Sequence, residues 1–294
     1  MKSTGRIFSL LLVLCSVLSL FSSCGAETTS SATGIPETTS TSGSSFSVPA
    51  SGSSISETTK EETDLKVNFQ YTDEGYTDHA ALSRKAAADG MVLLENKNQA
   101  LPLKKEDTVA LFGKGQIHFY KGGTGSGDVN ALYTVHPLEG LRNKVKEGKV
   151  GLYEELAQKY EANTSFKPDE STVKKAAETA NTAILVISRN TGEMYDRKNN
   201  PGDFRLSKEE ETLLKQILDA GFSKTVVVMN IPSVMDLSFI NTYPDISSLL
   251  IAWQPGMEGG NALADVLCGD VNPSGKLTDT IATSYKYYPG AENQ

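Results

Sequence analysis

Four short runs of consecutive aliphatic or β-branched residues recur along the chain, at residues 108–112, 182–188, 225–230 and 248–253. Runs of this kind are apolar on both strand faces, as in parallel strands covered by helices on each side. Between and after them the period becomes helical, most clearly over residues 171–180, 207–220 and 258–267. The second of these opens with Ser207 and, three residues on, Glu210, the spacing of a capping box. It places Leu213, Leu214, Ile217 and Leu218 on one side. A further helix is predicted over residues 78–96, where Ala81, Leu82, Ala86, Val92 and Leu93 recur near helical spacing, although Gly90 weakens its second half. The alternation predicts an α/β fold, an open, mostly parallel sheet with helices on both faces and right-handed crossovers. Ligands bind at the carboxyl ends of such strands. Chemistry is therefore expected in residues 113–127, 189–204, 231–236 and 254–260, which converge on one edge.

The first 63 residues carry a different pattern. Lys2 and Arg6 precede an apolar run over residues 7–21, short of the roughly 20 residues that span a bilayer, so residues 1–23 read as a signal peptide. The run closes on Phe21-Ser22-Ser23-Cys24-Gly25, which resembles the bacterial lipoprotein cleavage box with Cys24 as the acylated residue and Phe21 where Leu is usual. An exported protein, lipid-anchored at the bacterial cell envelope or else secreted, is the expectation. Residues 24–63 are dominated by Ser, Thr, Gly, Pro, Ala and Glu. They cannot bury a core, and they read as a flexible tether. The globular domain is expected over residues 64–294.

Charge removes some functions. A net charge of −8 argues against a nucleic-acid partner, because binding a polyphosphate depends on a Lys/Arg surplus. Of three cysteines, Cys15 leaves with the signal peptide, Cys24 carries lipid and Cys268 remains alone, so no disulfide framework is expected. Cys268 closes an apolar helical pattern ahead of Gly269 and reads as a buried thiol. His79, His118 and His136 show no metal-ligand spacing, and no metal site is expected.

The four loops hold the candidate chemistry. Lys121-Gly122-Gly123-Thr124-Gly125-Ser126-Gly127 lacks the P-loop spacing, and His118 stands where a dinucleotide fingerprint needs its third glycine, so no cofactor is expected. Two readings stay open for it: a plain turn, or a loop that lets a ligand approach its backbone while Thr124 and Ser126 offer hydroxyls. After the second run comes Arg189-Asn190-Thr191-Gly192-Glu193-Met194-Tyr195-Asp196-Arg197-Lys198. Glu193, beside Gly192 and Met194, suits a general acid that protonates a leaving-group oxygen. Asp196, next to Arg197, suits an ionised partner. On residue types alone a solvated charged loop is the simpler reading. Thr124, Ser126 and Tyr195 are the candidate substrate contacts. The only Trp, Trp253, fits packing better than stacking on a sugar ring, and Glu258 fits the dipole at the start of a helix.

Taken in order, these strings resemble the second domain of glycoside hydrolase family 3, the β-glucosidase type, from about Ala81 onward. The matching residues include Ala87-Ala88-Asp89-Gly90-Met91-Val92-Leu93-Leu94-Glu95-Asn96, Leu111-Phe112-Gly113, Gly123-Thr124-Gly125-Ser126-Gly127, Ile187-Ser188-Arg189, Gly192-Glu193 and Gly202-Asp203-Phe204. Trp253-Gln254-Pro255-Gly256-Met257-Glu258-Gly259-Gly260 and Asp270-Val271-Asn272-Pro273-Ser274-Gly275-Lys276-Leu277 follow. The resemblance implies a retaining exo-β-glycosidase acting on a β-glucoside or oligosaccharide. An Asp on a separate (β/α)8 barrel is then the nucleophile, Glu193 the acid/base, and Ser126 lies near the cleaved sugar. Met194 departs from the family, which often has a second Gly there. The sugar-site domain follows a signal peptide, as in the subgroup with reversed domain order, and the chain stops before a barrel. The expectation is a fragment whose sheet is left incomplete at its carboxyl-terminal end and whose nucleophile is elsewhere. The rival expectation is a tethered carbohydrate-binding module without catalysis.

Overall fold

The computed structural model describes residues 73–192, 197–289 and 291. The signal peptide, Cys24, the tether, Glu193, Met194, Tyr195 and Asp196 lie outside the described residues. The strands are β1 (Val92–Asn96), β2 (Thr108–Phe112), β3 (Gly151–Leu152), β4 (Thr182–Ser188), β5 (Lys224–Asn230) and β6 (Ser248–Ile251). The α-helices are α1 (Asp73–Gly90), α2 (Pro137–Lys146), α3 (Glu154–Ala162), α4 (Glu170–Thr179), α5 (Lys208–Asp219), α6 (Phe239–Thr242) and α7 (Gly259–Cys268). All six strands join one sheet in the order β1-β6-β5-β4-β2-β3, parallel throughout except for β1, which runs antiparallel to β6.

The strand alternation divides the core in two. Ala183, Leu185 and Ile187 of β4 face α4, α5 and α6, packing among Val173, Ala176, Leu214, Ile217 and Phe239. Ile184 and Val186 face the other way, onto Ala88, Leu138, Leu141, Leu263 and Val266 of α1, α2 and α7. Each fully buried Val, Leu, Ile or Phe side chain of this kind contributes about 1.5–3 kcal/mol relative to exposure. The second helix layer is close-packed: a Cβ at Gly140 would overlap the Gly260 carbonyl, and one at Gly260 the His136 carbonyl, so α2 and α7 meet backbone to backbone.

The predicted helix over residues 78–96 is corrected. It begins earlier, at Asp73, ends at Gly90, and gives way to β1. Val92, Leu93 and Leu94 are consecutive apolar residues, and pairing with β6 outweighs the helical spacing of Val92 and Leu93 with residues before Gly90. The predicted strand over 248–253 stops at Ile251. The α5 capping box forms as expected: the Glu210 amide donates to Ser207 Oγ (3.2 Å), and the Ser207 amide to Glu210 Oε2 (2.8 Å). The chain leaves β2 toward β3 on one side and returns as β4 on the other. A topological switch point therefore lies between the carboxyl ends of β2 and β4, where a crevice opens in sheets of this kind.

Candidate active site

The loops after β2, β4 and β6 touch at the carboxyl edge. The Thr124 amide donates to the Thr191 carbonyl (3.1 Å), and Thr124 and Gly192 form an isolated parallel bridge. The approach excludes side chains. A Cβ at Gly192 would overlap the Thr124 hydroxyl, and one at Gly123 would lie 3.0 Å from the Thr191 oxygen. The glycine-rich segment thus rests on the residue immediately before Glu193. Thr124 and Ser126 are exposed there, Ser126 within a short turn, Gly125–Gly127. Gln254 extends the contact from the third loop, its Nε2 donating to Asn190 Oδ1 (3.0 Å).

Glu193 and Tyr195 lie outside the described residues, but both stems of their loop are fixed. On one side Arg189 makes two bonds to Glu210, at 2.6 and 2.5 Å, the forked pairing that suits a guanidinium and a carboxylate. On the other, Arg197 bonds Asp203 (2.9 Å) and Ser233 Oγ (3.2 Å), while the Tyr285 hydroxyl donates to the Arg197 carbonyl (2.6 Å). Asp203 is therefore the ion-pair partner of Arg197 among the described residues; Asp196 is not described.

Beneath the loops sits Asn230, the last residue of β5, with 0% of its surface exposed. Its Oδ1 accepts the Tyr120 amide (2.7 Å), and its Nδ2 donates to the carbonyls of Tyr120 (3.0 Å) and Trp253 (2.5 Å). Sequence reasoning missed this residue. A lone amide side chain closing the run Val226-Val227-Val228-Met229 was the available signal.

Trp253 is used for packing. Its indole packs half-buried against the core, and Nε1 donates to the Gly90 carbonyl (3.1 Å). Its backbone sits at φ +56°, in the left-handed region that a bulky residue rarely occupies. Glu258 precedes α7 as expected, but its backbone (φ −91°, ψ 10°) lacks the extended form of a capping residue, and its side chain makes no cap bond. Its buried carboxylate instead accepts the Tyr133 hydroxyl (2.6 Å) and Asn261 Nδ2 (2.7 Å), and the Tyr133 bond raises that phenol's pKa. Cys268 ends α7 half-buried, and burial pushes its thiol up to about 11, so it stays protonated. His136 Nδ1 accepts the Phe119 amide (3.2 Å), and burial lowers its pKa. Among the described residues no group of three or more His, Cys, Asp or Glu is placed to hold a metal. A cleft of about 820 Å³ opens at the β2/β4 switch point, lined by Gly113, Lys114, Tyr160, Ile187, Ser188 and Arg189 among others.

Residues 91–294 match the model of the glycosyl hydrolase family 3 C-terminal domain. The chain belongs to glycosyl hydrolase family 3. The family 3 chain is 39% identical to beta-glucosidase A of Butyrivibrio fibrisolvens over 248 residues, covering 73% of this chain and 30% of that protein. Against a beta-glucosidase of Ruminococcus albus the identity is 35%, over 70% of this chain and 23% of the relative. The fold superposes on beta-glucosidase 3B from Thermotoga neapolitana in complex with alpha-D-glucose with a TM-score of 0.66 and 37% identity, over 71% of this chain and 32% of that one. A novel beta-glucosidase from Paenibacillus barengoltzii gives 0.69 and 37%, over 73% and 25%. The chain thus spans less than a third of these relatives.

Proposed function

We propose that this domain supplies the acid/base half of a retaining, exo-acting β-glycosidase that removes terminal β-linked sugars such as glucose. The observation that carries the reading is the seating of Gly123 and Thr124 on Thr191 and Gly192. It brings the Thr124 hydroxyl to the root of the segment that holds Glu193 and Tyr195, with Ser126 two residues along the same loop. Glu193 acts first as acid toward the leaving-group oxygen, then as base toward water. The β-glucosidase names of the relatives support a β-glucoside substrate.

Retention requires two carboxyl groups about 5 to 5.5 Å apart. The nucleophile belongs to a (β/α)8 barrel that follows this domain in the longer protein, in reversed order, and docks over the carboxyl edge. Cys24 carries the lipid that holds the exported protein at the cell envelope, with residues 24–63 as tether. No helix among the described residues is long and apolar enough to cross a membrane.

The test replaces Glu193 by Gln in the protein that carries the barrel and compares aryl β-glucosides. With a poor leaving group, turnover falls about 10²–10⁴-fold; with a dinitrophenolate, which departs without a proton, the first step is nearly unaffected. Near-normal turnover of the poor leaving group removes Glu193 from the acid/base role. The 294-residue chain alone hydrolyses neither substrate, and measurable activity from it contradicts the two-domain mechanism.

A further inference from the structure

We infer that Asn230 is a positioning residue: its buried amide sets the contact between the glycine-rich loop and the root of the Glu193 loop, although it reaches neither Thr124 nor Gly192. The catalytic meaning of that contact rests on the function proposed above; the contact itself does not.

Asn230 occupies a position from which a single side chain meets two loops. β5 lies between β4 and β6, and Asn230 pairs with Ser188 at the end of the ladder. Its main-chain carbonyl accepts the Arg189 amide (2.8 Å), which fixes where the Glu193 loop departs. Its side-chain oxygen and nitrogen read the amide and carbonyl of Tyr120 as a neighbouring strand would, and the second N–H takes the Trp253 carbonyl. Both donors and the acceptor of the amide are therefore used, as burial requires. A second link joins the same two loops, from the Gly256 amide to the Lys121 carbonyl (2.9 Å).

The bond to Trp253 has a consequence for its neighbour. A left-handed tryptophan is strained and persists only where its surroundings over-determine it. The Asn230 bond to the Trp253 carbonyl and the indole bond to Gly90 supply that determination. The resulting turn delivers Gln254 to Asn190, whose Oδ1 also accepts the Thr191 amide (2.9 Å). The Thr191 carbonyl then receives Thr124. The hydrogen bonds close a ring from Asn230 through Trp253, Gln254, Asn190, Thr191 and Thr124 back along the chain to Tyr120. A support of this kind locks the geometry of groups that do the chemistry without touching substrate.

The test reads amide hydrogen exchange in the 294-residue chain, comparing Thr124 with the amides of β4. Asn230→Asp keeps the shape but cannot donate to Tyr120 and Trp253. Gln254→Ala cuts the ring at a half-buried position outside the core. In both variants the Thr124 amide exchanges about tenfold faster while β4 amides keep their rates. Emission from Trp253, the sole tryptophan, shifts in Asn230→Asp. Unchanged Thr124 exchange in Gln254→Ala overturns the proposal. So does uniform acceleration across β4 and Thr124 in that variant, which a general loss of stability would produce. Faster Thr124 exchange with unaltered hydrolysis by the barrel-bearing protein keeps the clamp and sinks the catalytic reading instead.

Discussion

Around α7, Arg84, Lys144, Asp265 and Asp270 form a connected ion network, whereas at the carboxyl edge one neutral amide, Asn230, joins two loops. Lys144, 3% exposed, bonds Asp265 and Asp270 at 2.7 Å each, and Arg84 holds both oxygens of Asp265 at 2.5 and 2.6 Å. Lys144, Asp265 and Asp270 each have more than one partner, while Arg84 pairs with Asp265 alone among the described residues, and the backbones of α2 and α7 are already in contact at Gly140 and Gly260. The edge is held without charges of this kind: it depends on close glycine approaches, a left-handed Trp253 and hydrogen bonds between neutral groups, the Gly256 amide to the Lys121 carbonyl among them. The helix layer is built to hold, and the edge is built to place a few groups. The difference teaches that burial of polar groups serves stability in one region and geometry in the other.

The sharpest way to break the comparison is Gly260→Val. Its side chain would overlap the His136 carbonyl and force α2 from α7, at a cost above about 4 kcal/mol, read as loss of soluble folded protein or a collapsed melting temperature. Next comes Asp265→Ala, which removes the ion partner of Arg84 and leaves the buried Lys144 with Asp270 and Glu147 alone. Chemical denaturation should show about 3–5 kcal/mol lost. An effect below about 1 kcal/mol would mean that Asp270 and Glu147 suffice.

The smallest effect is one of pH. Burial works against the Asp265 carboxylate, but Arg84 and Lys144 outweigh it and hold its pKa below the usual range; Asp270 is lowered by Lys144 and Lys149 in the same way. Groups with depressed folded pKa values add stability above their unfolded pKa, near 3.9, and lose it as pH falls through the folded value. Stability should therefore decline below about pH 4, and Asp265→Asn should flatten that decline. An unchanged acid slope would show that other carboxylates set it.

Much of the fold was legible because its signals are local. The buried runs of β2, β4 and β5 and the Ser207–Glu210 capping box needed no partner to be recognised. β1 was not, because Val92 to Asn96 becomes a strand only by pairing with β6, some 150 residues away in sequence. α2, α3 and the two-residue β3 gave weaker patterns, shorter or more broken than those of α5 and α7. At the edge, Gly123, Thr124 and Gly192 were visible as glycine-rich text, but their mutual contact is tertiary. Asn230 carries no motif at all. Its role follows from where β5 ends, which only the assembled sheet reveals.

The central claim, that the Thr124–Gly192 contact frames the acid/base segment of a retaining glycosidase, is tested most directly by product analysis of Glu193→Ala in the barrel-bearing protein, with a dinitrophenyl β-glucoside and azide. Azide needs no general base, so it attacks a glycosyl-enzyme intermediate that water can no longer clear, raising turnover. The account predicts rescue with β-glucosyl azide as the product. Absence of rescue, or the α-azide, would contradict it.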